Sequence, residues 1–244
     1  MATTPLKTGI TTLVILLSNL LFAQLPNPKL KITPLNGNFY VYTTYQNYQD
    51  KPVSANGLYL LTDKGAVLID TPWDTTQFKP LLDSIETKHH KKVVLCIATH
   101  SHTDRTAGLE FLKQNGVKTY TTKQTDEICK LQGGKRAEFT FTNDTTFKVG
   151  NYNFQTFYGG EAHTKDNIVI WFEQDKILYG GCAIKSTEAT DLGYVGEANL
   201  TAWPHTLNKI KQKFPTPKYI VPGHQGWTSI KALDHTLELL KQVK

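Results

Sequence analysis

Apolar residues recur along the chain in short runs bounded by turn-forming residues, a pattern that predicts many strands and a few amphipathic helices. From Leu30 to Tyr45 aromatic and β-branched residues dominate, with Phe39-Tyr40-Val41-Tyr42-Thr43 at the centre and Asn36-Gly37 as a turn signal. Gly57 to Leu61 and Ala66 to Ile69 predict two further strands, joined around Asp63-Lys64-Gly65. Val93 to Ala98 is an unbroken apolar run, as expected of a strand buried on both faces. Strands are also predicted over 117–121, 139–141, 146–149, 152–158, 168–172, 176–179 and 219–221. Phe78, Leu81, Leu82 and Ile85 recur at helical spacing behind Asp74, a capping residue. Helices are likewise expected over 108–112, 123–131, from Leu200 to Phe214 with Pro204 in the first turn, and from Ile230 to Leu240. Tyr45 to Ser54 is polar and aromatic without a core pattern, which fits a surface loop or a mobile hairpin. Strands bunch in each half with helices between them, so an α/β fold with two packed sheets is expected rather than one doubly wound sheet.

Composition narrows the class. A 244-residue chain with 39% hydrophobic residues can bury a sizeable core and is not expected to be disordered. The formal net charge of +6 comes from scattered lysines. There is no basic stripe interleaved with aromatics, so nucleic acid is not an expected partner and the excess reads as a solvated basic face. At the N-terminus Lys7 precedes an apolar stretch from Ile10 to Phe22, centred on Leu13-Val14-Ile15-Leu16-Leu17. Ala23 is a plausible cleavage point, so residues 1–23 read as a signal peptide and 24–244 as a single mature domain, exported to the periplasm and by default monomeric. The stretch is short for a span of roughly 20 residues, and Ser18 and Asn19 interrupt it, so no stable membrane anchor is expected. Export would permit a disulfide, but the cysteines are odd in number: Cys96 in the core run, Cys129 in a helical stretch, and Cys182.

The chemistry gathers at Thr99-His100-Ser101-His102-Thr103-Asp104-Arg105, directly after the core run. Residues 100, 102 and 104 lie on one side if the segment is extended. Imidazole and carboxylate are ligands that zinc accepts. Three more candidates fall at strand ends behind glycines: His163 after Gly159-Gly160-Glu161-Ala162, Cys182 after Gly180-Gly181, and His224 after Pro222-Gly223. His89, His90, His205 and His235 sit on helical stretches and are set aside. Six candidates exceed the four of a closed structural zinc site and suffice for two metals with open positions, which is a catalytic count. Spacing does not say which ligand serves which metal.

These residues resemble the metallo-β-lactamases, specifically the subclass with a cysteine zinc ligand, and the likeness runs from about Leu30 to the C-terminus. The His-x-His-x-Asp element alone marks the wider superfamily, which includes glyoxalase II and RNA-processing nucleases. Those relatives usually carry a further histidine after the aspartate, where this chain has Arg105, and a bridging aspartate where it has Cys182. Asn56-Gly57-Leu58-Tyr59-Leu60, Leu68-Ile69-Asp70-Thr71-Pro72 and Pro222-Gly223-His224 also look like recurring segments of the subclass. The resemblance implies a four-layer αβ/βα sandwich with two zinc ions between its sheets. His100, His102 and His163 would hold the first, and Asp104, Cys182 and His224 the second. Lys185 matches the lysine that binds the substrate carboxylate; its other reading is a solvated surface lysine. Asp70 and Arg105 match groups that support the ligands from behind, and Tyr45 to Ser54 matches a flap over the substrate. The chain departs from the pattern at Leu192-Gly193-Tyr194, where the family often has asparagine in the third position. Either the Tyr194 hydroxyl donates to the substrate carbonyl, or zinc polarises it alone.

The implied activity is opening of the β-lactam ring of penicillins, cephalosporins and carbapenems by a metal-bound hydroxide oriented by Asp104, which confers antibiotic resistance. Two rivals stand beside it: a thioesterase of the glyoxalase type, and an exported metal-binding module without activity. The first should act on S-lactoylglutathione; the second should bind metal and hydrolyse nothing.

Overall fold

A computed structural model describes residues 29–48, 50–142 and 144–243. The expected signal peptide over 1–23 lies outside the described residues. The described residues open with four antiparallel strands, β1 (Leu30–Asn36), β2 (Phe39–Tyr48), β3 (Lys51–Thr62) and β4 (Gly65–Ile69). Gly37, at φ 51°, makes the first turn, where Asn36-Gly37 predicts it. A 3-10 turn over Thr75–Gln77 follows, capped by the Asp74 carboxylate, and leads into α1 (Phe78–His89). Then come β5 (Val93–Ile97), the single turn α2 (Thr103–Thr106), α3 (Leu109–Gln114), β6 (Lys118–Thr122), α4 (Lys123–Gln132) and β7 (Phe139–Phe141). The second half comprises β8 (Thr146–Val149), β9 (Tyr152–Phe157), β10 (Val169–Phe172), β11 (Ile177–Gly181), α5 (Trp203–Lys213), β12 (Tyr219–Pro222) and α6 (Ala232–Gln242).

The strands form two mixed sheets. The first has the order β1-β2-β3-β4-β5-β6-β7 and becomes parallel from β4 onward. The second has the order β12-β11-β10-β9-β8, and its one parallel pair is β11 with β12. Alternation along the central strands explains the layering, because successive side chains leave a strand on opposite faces. Leu58, Leu60, Val67, Ile69, Leu95 and Ile97 meet Ile170, Phe172, Ile177, Tyr179 and Val221 between the sheets. Their neighbours Tyr59, Leu68 and Cys96 face outward onto Leu81 and Ile85 of α1 and Leu109 and Leu112 of α3. On the far side Val169, Trp171, Leu178 and Ile220 pack on Trp203, Leu207 and Ile210 of α5 and on Leu233 and Leu240 of α6. Each such side chain contributes about 1.5–3 kcal/mol when fully buried. The result is the αβ/βα sandwich of two packed sheets flanked by helices that the sequence predicts.

Of the two readings of Tyr45 to Ser54, the hairpin is the one found, with Tyr45 paired to Ser54 and Tyr48 to Lys51. Leu200 and Ile230 precede their helices, and Ile230 is exposed. All three cysteines are free thiols and buried, so the chain has no disulfide among its described residues. Among those residues, no helix is long and apolar enough to cross a membrane.

Candidate metal centre

The six candidates stand at one end of both sheets. β5 delivers Ala98, Thr99 and His100 at its C-terminal end. The segment then does not stay extended. His102 keeps extended backbone at the N-cap, and α2 turns at once, so Asp104 reaches the site from a helical turn. The strand-like alternation predicted for 100, 102 and 104 is therefore replaced by a strand end and a helix start. β11 and β12 run parallel with Gly181 opposite Pro222, which sets Cys182 beside Gly223 and His224. The backbone of Gly223 donates to the Gly181 carbonyl at 2.8 Å, and its own carbonyl accepts from Asn56 N at 2.8 Å. That second bond ties the second sheet to β3 of the first. His163 enters from the connection between β9 and β10, which is held to the first sheet where Ile168 N donates to the Thr99 carbonyl at 3.0 Å.

Two clusters result. One ligand atom from each of His100, His102 and His163 lies within 4.8 Å of the other two. Nε2 of His163 faces Nδ1 of His102 at 3.2 Å. In the second cluster Cys182 Sγ lies 3.7 Å from Asp104 Oδ2 and 3.3 Å from His224 Nε2. His224 Nε2 and Asp104 Oδ2 are 3.2 Å apart. His100, Asp104 and Cys182 also fall within 4.8 Å of one another, so the two clusters adjoin.

The donor set, imidazole, carboxylate and thiolate, fits zinc. Nε2 of His100 is buried and has no hydrogen-bond partner, an expensive state for a polar atom unless something else occupies its lone pair. Burial holds the His100 and His163 imidazoles well below the usual histidine range, which keeps them neutral and able to ligate. Burial also opposes a charge on His224, but the Cys182 thiol and the Asp104 carboxylate overcome it and raise that imidazole to about 9. A field that attracts a proton there attracts a metal cation equally. Nδ1 of His224 is bonded to the Ser54 carbonyl, which must accept, so the Nδ1 proton is fixed and Nε2 is free to face the site.

Arg105 forms the floor of the second cluster. It is wholly buried, and its Nη2 lies 2.8 Å from Asp104 Oδ2, donates to the Gly223 carbonyl at 2.9 Å and to Cys182 Sγ at 3.1 Å. Its Nη1 donates to the Asn56 carbonyl at 2.7 Å and lies 3.4 Å from Asp70. Asp70 touches no histidine. It accepts from Thr99 N at 2.7 Å, from the Thr99 hydroxyl at 3.0 Å and from the Tyr179 hydroxyl at 2.7 Å. The Thr99 hydroxyl in turn lies 3.4 Å from Nδ1 of His100, so any influence of Asp70 on that ring passes through Thr99. Burial pushes the Asp70 carboxyl up to about 6 against the pull of Arg105.

Lys185 is not a solvated surface lysine. It is 8% exposed, and its ammonium stands 5.4 Å over the Trp203 ring. Burial lowers its pKa, and Cys182 and Asp104 pull it back. Tyr194 is exposed at the rim, its ring 5.7 Å from that of His102. Several contributors carry no signal in the sequence. Glu197 Oε2 lies 2.9 Å from His102 Nε2 across 95 positions, and an isolated acid in a loop gives no hint of that. Tyr179 reads only as a strand residue, and Thr99 only as the first residue of the ligand-bearing stretch, with no role of its own. Asn56, by contrast, stands in a recurring segment of the resemblance.

Comparison with known proteins agrees with this geometry. The profile of the Metallo-beta-lactamase superfamily matches residues 51–224. The chain is 47% identical over 215 residues to "Metallo-beta-lactamase type 2" of Elizabethkingia meningoseptica, covering 88% of this chain and 86% of that one. It is 42% identical over 209 residues to "Metallo-beta-lactamase IND-1" of Chryseobacterium indologenes, covering 86% and 87%. Among solved structures, metallo-beta-lactamase IND-7 superposes with a TM-score of 0.85 at 41% identity, over 88% of this chain and 99% of that one. A metallo-beta-lactamase from Pontibacter korlensis superposes with a TM-score of 0.84 at 35% identity, over 87% and 99%.

Proposed function

The chain belongs to the metallo-β-lactamase superfamily, and on that premise we propose that it is a zinc-dependent hydrolase of the β-lactam amide, acting on penicillins, cephalosporins and carbapenems and conferring resistance to them. The observation that carries this reading is the pair of adjoining clusters, three histidines beside an aspartate, a cysteine and a histidine, with Arg105 beneath the second. Arg105, a cation with no lone pair to give, stands where the glyoxalase type of site carries a further histidine and instead braces Asp104, Cys182 and the Gly223 carbonyl, which speaks against that type of site.

His100, His102 and His163 would hold one zinc, and Asp104, Cys182 and His224 the other. Zinc bound there supplies a Lewis acid for the amide carbonyl and water made acidic enough to lose a proton near neutral pH. The chain's own groups do the rest. Asp104 Oδ2 stands at the junction of the clusters, where it would orient the attacking hydroxide by accepting a hydrogen bond from it. Arg105 keeps that carboxylate well below its usual pKa despite burial, so it stays ionised and serves as a hydrogen-bond acceptor rather than as a proton store. Lys185 pairs with the substrate carboxylate beside the amide nitrogen. Tyr194, whose ring lies at the rim next to His102, would offer its hydroxyl to the substrate carbonyl; otherwise zinc would polarise that carbonyl alone.

Export to the periplasm with removal of residues 1–23 completes the reading. The N-terminus of the secreted chain should fall near Gln24, and retention of residue 1 would refute it. The activity is tested with a chromogenic cephalosporin and S-lactoylglutathione side by side. Zinc-loaded protein should turn over the cephalosporin, lose that activity to a chelator, recover it with zinc, and ignore the thioester. Turnover insensitive to chelation, or none at all, would refute the proposal.

A further inference from the structure

Resting on the reading of His100, His102 and His163 as a metal-holding trio, we infer that Glu197 is a positioning residue for His102, and that Gln132 holds Glu197 in place from the end of α4. The three histidines are not equally supported. His100 is wholly buried and His163 is 5% exposed, so packing fixes both rings. His102 is more open, and its position at the N-cap of α2 brings no side-chain capping bond to hold it. The rings of His100, His163 and Tyr194 flank it, and its rotation is set by what its own nitrogens meet.

Each nitrogen has one neighbour. Nδ1 faces His163 Nε2 at 3.2 Å, inside the trio. Nε2 faces Glu197 Oε2 at 2.9 Å, outside it. A carboxylate only accepts, so this contact places the ring proton on Nε2 and leaves the Nδ1 lone pair for the metal. The opposite tautomer would aim a proton at the metal position. The carboxylate also makes the imidazole a better donor, as acceptors behind ligand histidines generally do.

A lone pair at the surface would do little, because two mobile side chains rarely hold one geometry. Glu197 is not left alone. Its second oxygen, Oε1, accepts from Gln132 Nε2 at 3.2 Å. Gln132 is the last residue of α4, whose end is set by Gly133 in the left-handed conformation at φ 69°. Tyr194, three residues before Glu197, lays its ring 5.7 Å from His102 on the same loop. The relay α4, Gln132, Glu197, His102 thus joins elements far apart in the chain, and it gives the loop that carries Tyr194 a hold on a candidate ligand.

The test uses the full mature protein as wild type, Glu197→Ala, Glu197→Gln and Gln132→Ala. Affinity for each of two zinc ions is measured by competition with a chromophoric chelator. Cobalt-substituted protein is read by absorption, where the cysteine-to-cobalt band reports the Cys182 cluster separately. Melting of the metal-free proteins controls for folding. Glu197→Ala should weaken one metal by roughly tenfold to a hundredfold, leaving the cysteine band and the metal-free melting temperature as in wild type. Glu197→Gln, which keeps an acceptor oxygen, should restore part of the loss, and Gln132→Ala should fall between wild type and Glu197→Ala. Wild type with two metals and Glu197→Ala within twofold of it at both would overturn this inference alone. So would equal weakening of both metals with a lower metal-free melting temperature. A wild type that binds no metal would overturn the trio and this inference together.

Discussion

Among single residues, Arg105 and Lys185 show how burial gives a charge its use. Taking a guanidinium out of water costs several kcal/mol, which only a full set of partners offsets. Arg105 has most of that set in two carboxylates, two carbonyls and a thiol around its two terminal nitrogens, with Nε left without a partner. The planar fork holds Asp104 and Cys182 at once in a way a lysine could not. Lys185 is buried yet lacks a carboxylate partner among the described residues, and its ammonium stands over the Trp203 ring. Lys185→Met keeps the packing and removes the charge. It should raise KM for β-lactams by roughly tenfold to a hundredfold, the worth of a charge-assisted contact of about 1.5–3 kcal/mol, with a smaller change in kcat. An unchanged KM in steady-state kinetics would remove Lys185 from substrate binding. The six candidate ligands were legible because histidine, aspartate and cysteine are conspicuous at strand ends. Glu197 was not, since its meaning comes from a contact across 95 positions.

At the scale of elements, the site depends on where strands stop. The parallel pairing of β11 with β12 brings Gly181 level with Pro222, and the residues that follow become neighbours. Gly223 is a tight point of this arrangement, closed in by backbone and by the site itself. A Cβ there would stand 2.8 Å from both the nitrogen and the sulfur of Cys182 and 2.9 Å from Arg105 Nη2. Gly223→Ala should therefore destabilise the fold by about 1–3 kcal/mol in denaturant titration, with weaker metal binding at the cysteine cluster. Unchanged stability would show that the backbone yields there at no cost. Apolar periodicity placed most strands to within a residue or two, because alternation directly reflects burial on two faces, but it began β3 at Gly57 rather than Lys51 and ended β2 at Tyr45 rather than Tyr48, where the hairpin leaves the core. It missed α2, a single turn with too few residues to show a period, and it started α5 at Leu200 although the first helical residue is Trp203. Strand order was not legible either, since pairing is decided by contacts between distant segments.

Over the whole molecule, each half contributes one sheet and one outer helical layer, and the candidate ligands arise from both. His100, His102 and Asp104 come from the first half, and His163, Cys182 and His224 from the second. Bonds across the halves, Asn56 to Gly223 and Ile168 to Thr99, hold the two contributions in register. A pair of metals bound at this seam would also link the halves, so the site and the assembly of the sandwich are coupled. The most direct check on that picture is anomalous diffraction at the zinc edge from crystals of the zinc-loaded protein. The account predicts two peaks, one bonded to the three histidines with Zn–N near ~2.0–2.1 Å, the other to Asp104, Cys182 and His224 with Zn–S near ~2.3 Å. A single peak elsewhere, or density that leaves Cys182 or His224 unbonded, would contradict it.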